Sequence, residues 1–234
     1  MRAIFLAAAA TWAGAIAPAG AQDDAFVAKM RAVNANVAIP DQREIAADAL
    51  STLKAIAARE SQCAPTAVRM EKPTPASADP MAMQSIDAGK IKNAWLAYGV
   101  PIGCAKAPKT RFFILQTPDD KILARVVNNG ESIASPALMR DTSMNAALAA
   151  YTSVKAIDPA CDGEGMTMVE TRISSKSDNL SPDFYGVRFK GSWEEVWTFG
   201  VCGRLVAVPV SFQADGSGGA YTHVGRKSAA ALNP

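Results

Sequence analysis

Apolar residues recur three or four positions apart in two segments of the chain, and this spacing predicts two amphipathic helices. In the first segment the apolar positions are Ile45, Ala49, Leu53 and Ile56. In the second they are Met144, Leu148 and Tyr151, with Asp141 or Thr142 as the expected N-terminal cap. A shorter pattern over residues 24–35 predicts an additional helix near the N-terminus.

Short runs of strand-forming residues follow each predicted helix, at 67–71 and at 166–173. A loop rich in Pro, Ser and Asp comes next in each half (72–80 and 174–183), followed by longer alternating runs. The turn sequences TPDDK and ADGSGG predict a closing hairpin in each half. We therefore expect an α+β protein in which each half is a helix packed on four or five mostly antiparallel strands.

The four cysteines place the two halves in register with one another. They fall into two pairs with the same separation of 41 residues: Cys63 with Cys104, and Cys161 with Cys202. The offset between the pairs is 98 residues, and the same offset relates Trp95 to Trp193. These coincidences predict an internal duplication, with a first unit at residues 22–132 and a second at 133–234.

The N-terminus has the pattern of a secretory signal peptide. Arg2 precedes an apolar run over residues 3–17, and Ala19-Gly20-Ala21 supplies the small residues of a cleavage site. We therefore predict a signal peptide at residues 1–21 and a periplasmic or secreted mature protein. No later apolar run is long enough to span a bilayer, so we expect no membrane insertion after cleavage.

Cysteine usage agrees with export, because oxidising compartments pair thiols. The sequence has no C-x-x-C motif and no closely spaced cysteine pair of the kind that binds zinc. Four cysteines allow three connectivities, and the repeat favours Cys63–Cys104 and Cys161–Cys202. Each bridge would close a loop of about 40 residues and contribute about 3–4 kcal/mol by restricting the unfolded chain.

Charge and motif content exclude several function classes. The chain has 24 Lys and Arg against 22 Asp and Glu, without basic blocks, which argues against a nucleic-acid partner. The one histidine, His223, lies in a predicted strand and is expected to face solvent, so catalysis by a His-containing triad has no support. No phosphate-binding, dinucleotide-binding or metalloprotease motif is present, and we predict no cofactor and no metal.

The stretch GSWEEVWTFGVC, residues 191–202, is the strongest candidate site. Neighbouring strand residues point to opposite faces, so Glu194 and Glu195 cannot act as a carboxylate pair. The face with Glu195 also carries three aromatic residues, Trp193, Trp197 and Phe199. Two interpretations remain open: these four residues pack in a core, or they form a partly exposed face that binds a partner.

These observations predict an exported, soluble, non-enzymatic protein that binds an unknown protein or small molecule in the cell envelope. The alternative is a periplasmic or secreted hydrolase that uses carboxylates from separate strands, such as Glu195 with Asp183 or Glu170. A purely structural envelope component is a third possibility. A buried carboxylate facing another across a pocket would favour the enzyme, and an exposed aromatic patch would favour binding.

Overall fold

The computed structural model describes residues 19–35, 37–60, 62–105, 107–226 and 230–232. Residues 1–18, which hold most of the predicted signal peptide, lie outside the described part of the chain. The described residues form an α+β fold with four helices and two antiparallel sheets, as the sequence predicts. None of the described helices is both long and apolar enough to cross a membrane.

The helices are α1 (Ala19–Asn34), α2 (Gln42–Glu60), α3 (Pro80–Asp87) and α4 (Pro136–Lys155). The strands of the first sheet are β1 (Ala67–Met70), β2 (Thr74–Pro75), β3 (Asn93–Ile102), β4 (Thr110–Gln116) and β5 (Ile122–Asn129). Those of the second sheet are β6 (Thr167–Lys176), β7 (Ser192–Val201), β8 (Arg204–Ala214), β9 (Ala220–Val224) and β10 (Ala230–Leu232).

The two sheets follow closely similar paths. The first has the order β1-β3-β4-β5, with β2 also pairing β3, and the second has the order β6-β7-β8-β10, with β9 also pairing β8. Trp95 of β3 lies opposite Ile114, and Trp193 of β7 lies opposite Phe212, so both partners differ by the same offset of 98 residues. An origin of this likeness by duplication, and the boundary at residue 132, stay predictions.

Helix α2 covers the first sheet through the apolar face that the sequence indicates. Ile45 and Ala49 are fully buried against a cluster that contains Trp95 and Phe112. Two polar residues of the helix also satisfy the outer edge of β5, since Ala124 N donates to Asp48 Oδ2 (2.6 Å) and Thr52 Oγ1 donates to Ala124 O (3.0 Å). Helix α2 therefore covers a sheet edge as well as a sheet face.

Helix α4 differs from the sequence prediction in its start and in its buried face. It begins at Pro136 with Ser135 as the N-cap, six residues before the predicted cap at Asp141. Met144 and Leu148, predicted to face the core, are 77% and 46% exposed. The buried face instead carries the small residues Ala146, Ala149 and Ala150, together with Val154. Small side chains allow the helix to approach a sheet that already carries bulky aromatic residues.

Helix α3 is absent from the sequence prediction, which assigns a loop to residues 72–80 and no element to residues 81–88. The fully buried Asp79 caps it by accepting hydrogen bonds from Met81 N (2.9 Å) and Ala82 N (3.2 Å). The second oxygen of the same carboxylate accepts from Ala137 N (2.9 Å) in the first turn of α4. Asp79 therefore holds the N-termini of two helices together, and a carboxylate is favoured at that end of a helix.

Helix α1 confirms the helix predicted at residues 24–35 and also connects the two units. Met30, 1% exposed, packs with Ala78 of the first unit and Val187 of the second. The Phe26 ring lies edge-on to Phe189 with 6.1 Å between centroids. Each predicted unit thus keeps its own core cluster under α2 or α4, and the two units are also packed against each other at α1.

Both predicted disulfides are confirmed. Cys63 is bonded to Cys104 and Cys161 to Cys202, with Cα–Cα distances of 5.9 and 5.8 Å. Each links the segment after a helix to the residues that follow the long strand β3 or β7. Two disulfides suggest an oxidising, extracytoplasmic environment.

Candidate functional sites at the boundary between the units

The linker between β5 and α4 is held by the carboxylate of Glu195, which is fully buried. Its oxygens accept hydrogen bonds from Ser132 Oγ (2.9 and 3.0 Å), Ile133 N (2.8 Å) and Ala134 N (3.1 Å). The indole nitrogens of Trp193 (3.0 Å) and Trp197 (2.8 Å) donate to it from the same strand. Five donor groups therefore surround this one carboxylate, and several charge-assisted bonds are what a buried carboxylate requires.

The first unit holds the same linker from the other side. Arg111, 5% exposed, donates from Nη1 to Ala134 O (2.6 Å), and Tyr98 Oη donates to Ser132 O (3.2 Å). Burial lowers the pKa of Arg111 from its ordinary value, while the nearby Tyr98, Glu195, Asp183 and Asp79 partly oppose that shift. The backbone N–H of Ala134 thus donates to the carboxylate of Glu195 in the second unit, and its C=O accepts from the guanidinium of Arg111 in the first unit.

The candidate binding face of β7 is buried. Trp193, Trp197 and Phe199 are 2%, 0% and 3% exposed, and the Trp193 ring stacks on Phe212 with 5.0 Å between centroids. The hypothesis of a partly exposed aromatic face is therefore wrong in its premise, because α4 and the linker cover these side chains. The core interpretation is the one that the structure shows.

The carboxylates proposed for the hydrolase do not meet in a pocket. The donors to Glu195 are a hydroxyl, two backbone amides and two indoles, and none is a carboxyl group. Asp183 accepts from Gly186 N (3.1 Å) in its own turn, and Glu170 is exposed on β6. Glu194 is exposed and accepts from Ser175 Oγ (3.1 Å), on the face opposite Glu195 as predicted.

One isolated backbone bridge and a few side-chain hydrogen bonds join the edge strands β5 and β6. Gly130, just after β5, forms a parallel bridge with Thr171, and Glu131 N donates to Thr171 O (2.9 Å). Gly130 has φ +80°, and a Cβ there would lie 2.0 Å from Thr171 O, so only glycine permits this approach. Asn128 Nδ2 adds a bond to Thr171 Oγ1 (2.8 Å). Within the described residues no continuous hydrogen-bonded ladder joins β5 to β6.

A cavity of about 540 Å³ lies beside this contact, between the end of α2, the Cys63–Cys104 disulfide and β6. Residues of both units line it, and most of its wall is apolar or uncharged. Its charged residues are Arg59 and Glu60, which pair with each other at 2.9 Å. Asn129, Thr110 and Thr167 add polar groups. We call this space the disulfide cavity.

A second cavity, of about 340 Å³, lies between α3, α4 and strands β4, β5 and β6. Its charged residues are two arginines, Arg125 and Arg140, and no carboxylate lines it. We call it the arginine cavity. Val126 and Met168 line both cavities, so the two spaces adjoin through these side chains.

Metal-binding clusters of three or more His, Cys, Asp or Glu are absent from the part of the chain that the structure describes. His223 is exposed on β9, opposite Ser211, as the sequence predicts.

In comparisons with known proteins, no family model, no curated protein and no solved structure matches the chain.

Sequence reasoning missed both cavities and the linker site. The linker donors are mostly backbone amides, which no residue pattern reveals. One signal was present for Glu195: it was the acidic residue among three aromatics in only one of the two predicted copies. A lone carboxylate on an apolar strand face indicates a buried acceptor with several donors.

Proposed function

We propose that this protein is an exported, non-enzymatic binding protein whose ligand occupies the disulfide cavity. The observation that carries the proposal is the cavity itself, about 540 Å³ in volume and lined by both units. Ligand sites in proteins have volumes of roughly 300–1,000 Å³ and occur preferentially between structural units.

The walls of the disulfide cavity are held by strong local constraints. The Cys63–Cys104 bond ties the segment after α2 to the segment after β3, and Ala57 on α2 is 4% exposed. A cavity with constrained walls loses little conformational freedom when a ligand binds. The disulfide cavity is therefore suited to binding a ligand.

The lining chemistry indicates an uncharged ligand. Arg59 and Glu60 neutralise each other, and Gln62 Nε2 also donates to Glu60 Oε2 (3.1 Å). The remaining lining combines aliphatic, proline and amide or hydroxyl side chains. Such a wall suits an uncharged ligand that has both apolar surface and hydrogen-bonding groups.

The hydrolase alternative has less support from the geometry. A catalytic carboxylate must reach a substrate, whereas Glu195 is 0% exposed and its oxygens accept from five donor groups. A general acid or base also needs a proton-transfer partner within hydrogen-bond distance in a substrate complex. Glu195 is therefore better suited to holding the linker than to catalysis.

The test uses a neutral apolar fluorescent probe, N-phenyl-1-naphthylamine, with the mature chain and two matched variants of α2. Ala57→Phe fills the cavity from its wall, whereas Ala55→Phe adds the same ring on the exposed side of the helix. We expect saturable binding by the unsubstituted chain and by Ala55→Phe, and at least about tenfold weaker binding by Ala57→Phe.

Thr167→Phe fills the same cavity from exposed β6, and it replaces Ala57→Phe if circular dichroism shows that the latter is unfolded. The proposal is overturned if the unsubstituted chain shows no saturable binding, or if a folded filled variant binds the probe equally well.

A further inference from the structure

The arginine cavity joins an apolar interior to two cationic groups. Seven of its ten lining residues are apolar, and three of these are methionines: Met81, Met139 and Met168. Methionine is unbranched and flexible, so such a wall adapts to an alkyl chain without a specific shape. The interior of this cavity therefore favours an aliphatic group.

The polar end of the same cavity favours a negative charge. Arg125 of β5 and Arg140 of α4 carry side chains that are 53% and 61% exposed, and both line the cavity. A guanidinium presents its donors in a planar fork that matches a carboxylate. With two arginines and no lining carboxylate, the cavity has a local charge complementary to an anion.

The present partners of these arginines can be exchanged for a ligand. Arg125 lies 3.7 Å from Asp48, whose Oδ2 already accepts from Ala124 N, and Arg140 pairs with its neighbour Asp141 at 2.9 Å. Arg125, Arg140 and Asp141 are exposed and Asp48 is partly exposed, and ion pairs in contact with solvent contribute little to stability. A ligand carboxylate placed over the apolar interior would form ion pairs with both guanidinium groups. Breaking their present ion pairs would cost little free energy.

From this combination we propose that the arginine cavity binds a free single-chain fatty acid, with its carboxylate between Arg125 and Arg140 and its alkyl chain among the methionines. A volume of about 340 Å³, at the lower end for ligand sites, favours one chain over a two-chain lipid. The inference concerns a different cavity from the proposed function and does not depend on it.

The experiment measures decanoate binding to the mature chain by isothermal titration calorimetry below the micellar concentration, with decanol as the uncharged counterpart. We expect saturable binding of one decanoate, and, in the folded Ala57→Phe variant whose disulfide cavity is filled, much weaker binding of decanol than of decanoate. The double variant Arg125→Gln/Arg140→Gln is expected to lose roughly ten- to hundredfold in decanoate affinity, since hydrogen bonds to charged groups are the stronger kind.

The matched control removes the same number of charges elsewhere. Arg172 and Arg204 are exposed on the second sheet and line neither cavity, so Arg172→Gln/Arg204→Gln should keep the original affinity. Ala57→Phe should also keep it, which distinguishes failure of this inference from failure of the proposed function.

Three results would each overturn the proposal. The first is equal binding of decanol and decanoate by the folded Ala57→Phe variant, whose disulfide cavity is filled, and the second is unchanged decanoate affinity in the double variant at Arg125 and Arg140. The third is binding only to vesicles of phosphatidylglycerol and phosphatidylcholine, without binding of free decanoate. That last result would identify the two arginines as contacts to a lipid surface.

Discussion

The corresponding strands β3 and β7 use equivalent positions for different purposes. Trp95 and Trp193 both face the covering helix and are 1% and 2% exposed. Two residues further along, β3 has Ala97, which packs against α2, whereas β7 has Glu195, which binds the linker. The comparison teaches that one strand position can be filled by a methyl group or by a carboxylate, provided that the carboxylate has its donors.

The next inward-facing position of β3 and β7 shows that the two cores divide their side-chain volume differently between helix and sheet. At Gly99 a Cβ would lie 2.7 Å from Val68 Cγ1 and 2.9 Å from Phe112 Cε2, so β3 has no room for a side chain. The corresponding residue of β7 is Trp197, fully buried under the alanine face of α4. A large strand residue thus accompanies small helix residues, as dense packing requires.

The largest expected effect tests the difference between Ala97 and Glu195. Glu195→Ala removes the acceptor for Ser132, both linker amides and two indoles, and we expect it to reduce the free energy of unfolding by about 3–5 kcal/mol. Urea unfolding followed by tryptophan fluorescence measures this loss. Glu194→Ala, on the exposed face, should change the stability by less than about 0.5 kcal/mol. A loss below about 1 kcal/mol for Glu195→Ala would contradict the linker role.

The two disulfides sharpen the comparison, because they close loops of equal length in different surroundings. Replacing either pair by alanine should cost about 3–4 kcal/mol, since the loop term depends on the 41-residue separation. The order of reduction should differ, because Cys63 is exposed and Cys161 is 3% exposed.

Limited treatment with dithiothreitol, alkylation and peptide mass mapping should therefore label Cys63 and Cys104 first. Labelling of Cys161 and Cys202 first would show that the buried bridge becomes accessible before the exposed one. Unequal stability losses for the two alanine pairs would show that strain or residual structure outweighs the loop term.

The smallest expected effect lies in the turn between β4 and β5. The hydrogen bond from Lys121, followed by that from Thr117, lowers the pKa of Asp119 from 3.8 to about 2. The contribution of this carboxylate to stability is therefore present above the ordinary value and is lost as the pH falls through about 2.

An NMR titration of Asp119 checks this shift, and Lys121→Met should return its pKa towards the ordinary value. The effect on stability should be slight because the turn is exposed. An unchanged pKa in Lys121→Met would show that the lysine bond is not its main cause. The turn between β8 and β9 has no Lys–Asp pair of this kind. The corresponding hairpin turns of the two units therefore also differ in their charge interactions.

Several elements could be predicted because their determinants are local. The α2 face, strand β1, the hairpin turns and the disulfide pairing all follow from periodicity, turn residues and spacing. Helix α3 was missed even though Asp79-Pro80 is an N-terminal signal, because the surrounding Pro, Ser and Asp resemble a loop. The face of α4 was misassigned because large apolar residues were given more weight than alanines.

The sequence alone determined the α+β class, the two helix–sheet halves and their disulfides, since each depends on residue type at a short or repeated spacing. The tertiary structure alone decided that Glu195 and its aromatic neighbours are buried, because the linker that supplies three of the five donors to Glu195 lies some sixty residues away in sequence. It also decided where the cavities lie, because residues of both units line each of them. The position and shape of such cavities depend on how segments distant in sequence pack together, and a local residue pattern does not determine that packing.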